Sequence, residues 1–330
     1  MNMKVVICDY EFPNVDPERE ALKNIPDLEF IPAQCKTEEE LIELTKDAEG
    51  VLNQWNYLTE NVINNMKNCK VIATYGIGTD KINVEAASKK GIYVCNVPSY
   101  GTNEVANHAL AMLMACSRQL VQYDRLIRKG QFGYPTLGKK LYRIEGQVVG
   151  LVGFGKIPRN LSRKLIDAFN MKVLAYDPFI TEEFAKECGV EKVDLETLMK
   201  NSDFVSVHVP LTKETKYIID EKMMRLMKPT AYLINCGRGA IVKEDDLSKV
   251  LKENVIAGAG IDVFEIEPIK TDDPLLQLDN VIVTPHSAYY TEESLYALQY
   301  GAAAEVARVL TGEKPISAVN QNAVDSILGK

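Results

Sequence analysis

The chain has 330 residues, 46% hydrophobic and 25% charged, which predicts an ordinary globular protein of two domains. Its net charge of −8 argues against a nucleic-acid partner, which needs clustered Lys and Arg. No apolar run reaches about 18 residues and Met1–Cys8 has no signal-peptide layout, so no membrane association is expected. The seven cysteines show no C-x-x-C spacing, and Cys8, Cys69, Cys95 and Cys116 sit in apolar runs. They read as small buried residues of a reduced, cytoplasmic protein, with no metal site implied.

In chain order, Met3–Asp9 opens as a buried strand and Pro17–Lys23 follows as a helix. Leu28–Ile31, Glu38–Thr45, Gly50–Asn53, Thr59–Met66, Lys70–Thr74, Asn83–Lys90 and Ile92–Cys95 then alternate strand and helix. Such alternation predicts a parallel sheet covered on both faces, and a complete α/β domain of about 100 residues. Gly101–Lys129 has helical spacing through Val105, Ala109, Met112, Leu113, Leu120 and Ile127, and reads as one long interdomain helix. Gly130–Gly146 is irregular and rich in Gly, Tyr and Phe; it reads as a dimer arm or as a plain surface loop.

A second α/β unit starts at Val148. Val148–Val152 is an apolar strand, Gly153-Phe154-Gly155 a glycine turn, Lys156–Phe169 a helix and Met171–Tyr176 a second strand ending in Asp177. Glycines let a backbone approach a pyrophosphate, and the amides of Lys156 and Ile157 would face it at the helix start. Asp177, 22 residues past Gly155, can accept hydrogen bonds from an adenosine ribose. The pattern points to NAD rather than NADP, because a 2′-phosphate would be repelled. Pro158 occupies the third fingerprint position. Proline is tolerated in a first helical turn, so a slightly displaced helix with NAD binding intact is expected.

Further strands are predicted at Phe204–Val209, Ala231–Asn235, Val255–Asp262 and Val281–Thr284, with helices between them, including Glu221–Met227 and Glu244–Lys252. Thr291–Leu310 reads as a long amphipathic helix that packs back on the first domain. Three loops at strand ends carry polar residues: Asn235–Gly239, Asp262–Pro268 and Thr284–Ala288. Arg238, flanked by glycines, can present its fork to a carboxylate. Of the three histidines, His108 reads as structural and His208 as a cofactor-lining or satisfied core residue. His286 is the best proton donor, held protonated by an adjacent carboxylate. Spacing leaves Glu267 and Glu265 both open for that carboxylate.

These residues resemble the D-isomer-specific 2-hydroxyacid dehydrogenase family over nearly the whole chain. The resemblance rests on Tyr75–Asn83, Gly91–Leu110, Gly150–Gly155, Ala175–Pro178, His208–Thr215, Asn235–Ala240, Gly260–Pro268 and Thr284–Thr291. It implies a Rossmann doubly wound parallel sheet at 102–286, and a discontinuous, flavodoxin-like substrate domain from 1–101 and 287–330, joined by long helices. It implies a homodimer, NAD as cofactor and a small 2-oxo or 2-hydroxy acid as substrate. Arg238 would bind the substrate, Glu267 would pair with His286, and His286 would be the general acid. Ile77 and Gly78 would hold the substrate carboxylate, while Asn53, Trp55, Tyr75 and Tyr289 would face its side chain. Beside the glycine turn, His208, Val209, Pro210, Thr215, Cys236, Gly237, Asp262 and Ser287 would line the cofactor, with Asp262 on the nicotinamide amide. Hydride would pass from nicotinamide C4 to the carbonyl carbon.

Trp55, Tyr75, Tyr100, Tyr289 and Tyr290 suggest an aromatic pocket for an apolar or moderately bulky 2-oxo acid, and no Arg or Lys lies near Asn53–Leu58, so no dedicated phosphate pocket is expected there. Two alternatives stand beside that reading: a phosphoglycerate-type dehydrogenase, and an NAD(H)-sensing module like the C-terminal-binding-protein corepressors. Cys236, beside Arg238, is expected to confer sensitivity to thiol reagents with protection by NAD.

Overall fold

The computed structural model describes residues 3–138 and 140–329, and the chain forms two compact units, Met1–Gly101 with Thr291–Lys330, and Thr102–Tyr290. The return crossing lies at Thr291 rather than at the expected 287. The reason is local: the Ser287 and Ala288 amides bond to Asp262, and Ala288 is buried in the core of the second unit.

The first unit runs β1 (Met3–Ile7), α1 (Asp16–Leu22), β2 (Leu28–Pro32), α2 (Glu38–Thr45), β3 (Gly50–Asn53), α3 (Glu60–Asn65), β4 (Val71–Thr74), α4 (Val84–Lys89) and β5 (Tyr93–Cys95). Its strands are all parallel, in the order β2-β1-β3-β4-β5. This is the flavodoxin-like order, whose switch point lies between β1 and β3. Every residue of β3 and β4 is buried, as expected for strands covered on both faces. Thr37, Thr59 and Asn83 accept first-turn amides and so start α2, α3 and α4.

The second unit opens with α5 (Thr102–Arg118) and α6 (Leu120–Arg128). The single helix expected here is broken at Gln119, which takes a left-handed φ of 52°. Its side-chain amide donates to the Cys116 carbonyl (2.8 Å) and to the Tyr232 hydroxyl (2.9 Å), which ends α5 and fixes the corner. A 3-10 turn at Tyr134–Leu137 lies in the segment before the sheet.

The sheet segment follows as β6 (Val148–Val152), α7 (Lys156–Phe169), β7 (Lys172–Tyr176), α8 (Glu182–Glu187), β8 (Glu191–Lys192) and α9 (Leu195–Asn201). It continues through β9 (Phe204–Val207), α10 (Glu221–Met224), β10 (Tyr232–Asn235), α11 (Glu244–Lys252), β11 (Gly258–Ile261) and β12 (Val281–Val283). The order β12-β11-β10-β9-β6-β7-β8 is doubly wound, with its switch point between β6 and β9. The edge strand β8 has two residues, too short for a hydrophobic pattern to betray it.

The chain then returns to the first unit as α12 (Glu292–Leu310), opened by a Thr291/Ser294 capping box, and α13 (Gln321–Leu328). Helix α12 packs on α1, β3 and β4. The Asn320 side chain accepts the Val94 amide (2.8 Å) and donates to the Ile92 carbonyl (2.9 Å), tying the tail to β5. Among the described residues, no helix is long and apolar enough to cross a membrane.

The β6–α7 turn depends on Gly153. Its φ is +94°, and a Cβ there would lie 2.9 Å from Val209 Cγ1 and 3.0 Å from the His208–Val209 backbone. Glycine is therefore required twice, by conformation and by close approach across the switch point. Pro158 is buried in the first turn of α7, which runs unbroken to Phe169. We expect Gly153→Ala to destabilise the fold by about 1–3 kcal/mol, read as a lower thermal unfolding midpoint.

Candidate active site

The switch point of the second unit fits a dinucleotide. At Gly155 a Cβ would meet nothing within 4 Å, so the turn leaves open space at the start of α7, where no side chain caps the helix. Lys156 is exposed there and Ile157 half-buried. Asp177 ends β7 beside the turn: one carboxylate oxygen accepts the Phe154 amide and the other the Phe179 amide, both at 2.8 Å. Each oxygen retains a lone pair for a ribose hydroxyl.

Across the switch point, His208 bonds through Nε2 to Ser206 Oγ at 2.8 Å. Desolvation holds this imidazole at about 4, so it is neutral at pH 7. Thr215 Oγ1 donates to the Pro210 carbonyl (2.5 Å) and accepts the Thr212 amide (2.7 Å), which shapes the loop carrying Val209 and Pro210.

The catalytic candidates sit at the ends of β10, β11 and β12. Asn235 clamps the loop after β10: its Oδ1 accepts the Gly237 amide (3.1 Å) and its Nδ2 donates to the Arg238 carbonyl (3.0 Å). Gly239 is needed next, because a Cβ there would fall 1.9–2.0 Å from the Phe264 carbonyl. That close approach brings the Arg238 loop against Phe264–Glu267.

His286 Nδ1 and Glu267 Oε2 are 2.8 Å apart, and Glu267 Oε1 accepts the Phe264 amide at 3.0 Å. Burial raises the Glu267 pKa, but its hydrogen bond to His286, the charge of that imidazole, the Phe264 amide and the Arg238 charge outweigh this and hold the carboxyl below the usual range. Glu265 is used elsewhere, accepting the Tyr217 hydroxyl and the Glu244 amide, both at 2.8 Å. The two acids that spacing left open thus have different partners.

Asp262 follows β11 directly. It has no exposed side-chain surface. One oxygen accepts the Thr284 hydroxyl (2.5 Å) and the Ser287 amide (2.9 Å), and the other accepts the Ala288 amide (2.9 Å). It therefore holds the His286 loop. Ser287 joins the same brace through its backbone. His108 adds to it, with Nε2 3.0 Å from Thr284 Oγ1. Sequence reading set His108 aside because its position on a long helix gives no sign of a partner 176 residues away. Cys236 also departs from expectation: it is 8% exposed, its Sγ lies 3.9 Å from Met112 Sδ, and burial raises its pKa strongly. A neutral buried thiol is inert, so the expected reagent sensitivity is not supported.

In the first unit, Ile77 is exposed and Gly78 half-buried. Asn96 Nδ2 holds their loop by donating to the Ile77 carbonyl at 2.7 Å. Two expected pocket residues are interior instead. Tyr75 is 6% exposed and its hydroxyl donates to Glu18 at 2.8 Å, inside a buried network with Gln299. Asn53 is fully buried and donates to the Asn56 carbonyl at 2.9 Å. Trp55 is half-buried, with its amide on Asp9 at 2.8 Å. Nor is the region free of cations: the Lys81 ammonium lies 5.4 Å from the Trp55 ring and 4.9 Å from that of Tyr57. Of the other aromatics, Tyr100 belongs to this unit, while Tyr289 and Tyr290 belong to the second. Tyr289 meets the His286 ring edge-on at 6.5 Å.

His208 carries a pH signature. Unfolded, it takes a proton near 6.5; folded, it does so only near 4, so the unfolded state binds more protons between these values. This residue should therefore lower stability as the pH falls through that window. Calorimetry should find a shallower decline of the melting temperature there in His208→Gln.

Comparison with known proteins gives the family. Residues 110–288 match the D-isomer specific 2-hydroxyacid dehydrogenase, NAD binding domain. A glyoxylate reductase of Korarchaeum cryptofilum is 41% identical over 290 residues, 86% of each chain. A D-3-phosphoglycerate dehydrogenase of Methanocaldococcus jannaschii is 40% identical over 89% of this chain, which spans 56% of that protein. The structure of a D-lactate dehydrogenase from Aquifex aeolicus, complexed with NAD and lactic acid, is 33% identical with a TM-score of 0.84, covering 94% of this chain and 96% of that one. The matched domain, the glycine turn with its acid and the Rossmann order lead to one conclusion: this chain belongs to the D-isomer-specific 2-hydroxyacid dehydrogenase family and is an NAD-dependent enzyme of it.

Proposed function

We propose that the protein reduces a short 2-oxo acid to the (2R)-hydroxy acid, and runs the reverse reaction, with His286 as general acid and base, Glu267 as its partner and Arg238 orienting the substrate. The observation that carries this reading is the 2.8 Å His286–Glu267 contact on loops abutting the Arg238 loop. Bound NADH supplies the hydride. The Ile77–Gly78 amides hold the substrate carboxylate, and the Arg238 fork aligns the 2-oxo acid and offsets charge on its carbonyl oxygen. Glu267, held below the usual carboxylate range, orients the imidazole, and His286 donates to the forming alkoxide. The Asp262 brace keeps this imidazole in place. Relatives named glyoxylate reductase, in Korarchaeum cryptofilum and Pyrococcus furiosus, support glyoxylate as the first substrate to try.

A homodimer belongs to the same reading. Leu120, Ile127, Phe132 and Tyr134 are exposed, the last two by 88% and 84%, and the last three line a hollow of about 510 Å³. Apolar exposure of this kind favours a covering partner, and a second copy of this chain meets that need with the same face. The reading also keeps the cytoplasmic location, with all seven cysteines as free thiols.

Two measurements test the proposal. NADH consumption with glyoxylate should fall about 10²–10⁴-fold in His286→Gln. In Glu267→Gln it should fall about a hundredfold, the scale of removing one partner from a hydrogen-bonded charge pair. Wild-type rates in both variants would refute the assigned roles. Light scattering should find a dimer for the wild-type chain and a shift toward monomer in Phe132→Asp; a monomeric wild type would refute the assembly.

A further inference from the structure

Helix α1 carries an acid where acids are rarely tolerated. Glu18 has no exposed surface, on a helix that packs against α12. Burial raises its pKa even against the hydrogen bonds it accepts. An alkyl side chain would fill the same space without that penalty, so the carboxylate has to be explained by what it holds.

It joins α1 to α12 and to the end of β4. Gln299 of α12 donates to Glu18 Oε2 at 3.0 Å and to the Asn14 carbonyl at 2.8 Å, which fixes the loop between β1 and α1. Tyr75, directly after β4, donates its hydroxyl to Glu18 Oε1 at 2.8 Å. Phe12 of the β1–α1 loop meets the Tyr75 ring edge-on, with ring centres 4.9 Å apart. The Tyr75 amide donates to the Asn53 carbonyl at 3.0 Å. Ring, hydroxyl and backbone are all tied, so the tyrosine is fixed in the core.

Tyr75 opens the loop that reaches Ile77 and Gly78. Farther along, the Gly76 carbonyl accepts the Val97 amide at 2.9 Å and the Ile77 carbonyl accepts Asn96 Nδ2 at 2.7 Å. Among the described residues, the amides of Ile77 and Gly78 have no protein acceptor, so they are the donors left for a ligand. Peptide units are planar, and the aim of these amides follows from where the chain leaves the fixed tyrosine.

We propose that Glu18 is a positioning residue: by holding the Tyr75 hydroxyl it sets the Ile77–Gly78 amides that receive the substrate carboxylate. This rests on the reading of the protein as a 2-oxo acid reductase. Glu18 touches no reactant and acts through Tyr75. The carboxylate keeps its charge throughout the reaction, so these amides hold substrate and transition state alike. Their loss therefore weakens binding and leaves the chemical step unchanged.

The test measures NADH-linked glyoxylate reduction, NADH affinity and the melting temperature of the full-length enzyme. The variants are Glu18→Ala, Glu18→Gln, Tyr75→Phe and the Glu18→Ala/Tyr75→Phe double. KM for glyoxylate should rise about tenfold in Glu18→Ala and in Tyr75→Phe, with kcat and NADH affinity within about twofold of wild type. Glu18→Gln keeps an acceptor for the Tyr75 hydroxyl and should restore most of the KM. The double variant should be no worse than the single ones, because either change breaks the same link. If Glu18→Ala does not fold, the KM of Tyr75→Phe and the rescue by Glu18→Gln decide. An unchanged KM in Tyr75→Phe would overturn the proposal. So would additive effects in the double variant, or a joint loss of kcat, KM and NADH affinity, which marks a merely structural residue. A wild type that turns over no 2-oxo acid would instead bring down the reductase reading, and this inference with it.

Discussion

The buried carboxylate of Asp262 is the interaction on which the catalytic arrangement depends. It has no surface of its own, yet it draws in the Thr284 hydroxyl and two successive amides beyond His286. The chain between must turn sharply, and His286 takes a φ of +54°, a conformation that side chains other than glycine rarely adopt. Such strain persists only where the surroundings over-determine it. Here the His286 amide also donates to the Asp262 carbonyl at 2.7 Å, so one residue grips the loop through backbone and side chain. The product of that grip is an imidazole whose Nδ1 meets Glu267.

The two units share a logic. Each is a parallel sheet whose order reverses at one point, and each gathers its polar groups there. In the second unit the reversal lies between β6 and β9, where the glycine turn approaches the His208 backbone. In the first it lies between β1 and β3, where Asp9 receives the amides of Gln54 and Trp55. Burial makes both possible: strands with no exposed residues can place functional groups only at their ends.

Much of this was legible in the sequence because it is encoded locally. Apolar runs alternating with helical spacing set out both sheets, and the glycine turn, its distant acid and the strand-end loops marked the site. What was not legible depends on partners remote in the chain. The helix over 101–129 kept its periodicity across Gln119, and only the Tyr232 hydroxyl reveals why it breaks there. Tyr75 looked like a pocket residue until Glu18 took its hydroxyl. Cys236 was placed by motif, but depth in the core, which no short motif encodes, decides what its thiol can meet.

The bond from the Phe154 amide to Asp177 ties cofactor choice to architecture. The carboxylate that would reject a 2′-phosphate is also the strut that fastens the glycine turn to the neighbouring strand. Selectivity and scaffold are thus written in one side chain. A lineage drifting toward the phosphorylated dinucleotide could not simply discard the acid; it would first need another acceptor for the turn. Such coupling makes a binding preference slow to change even where its chemistry would be easy to reverse.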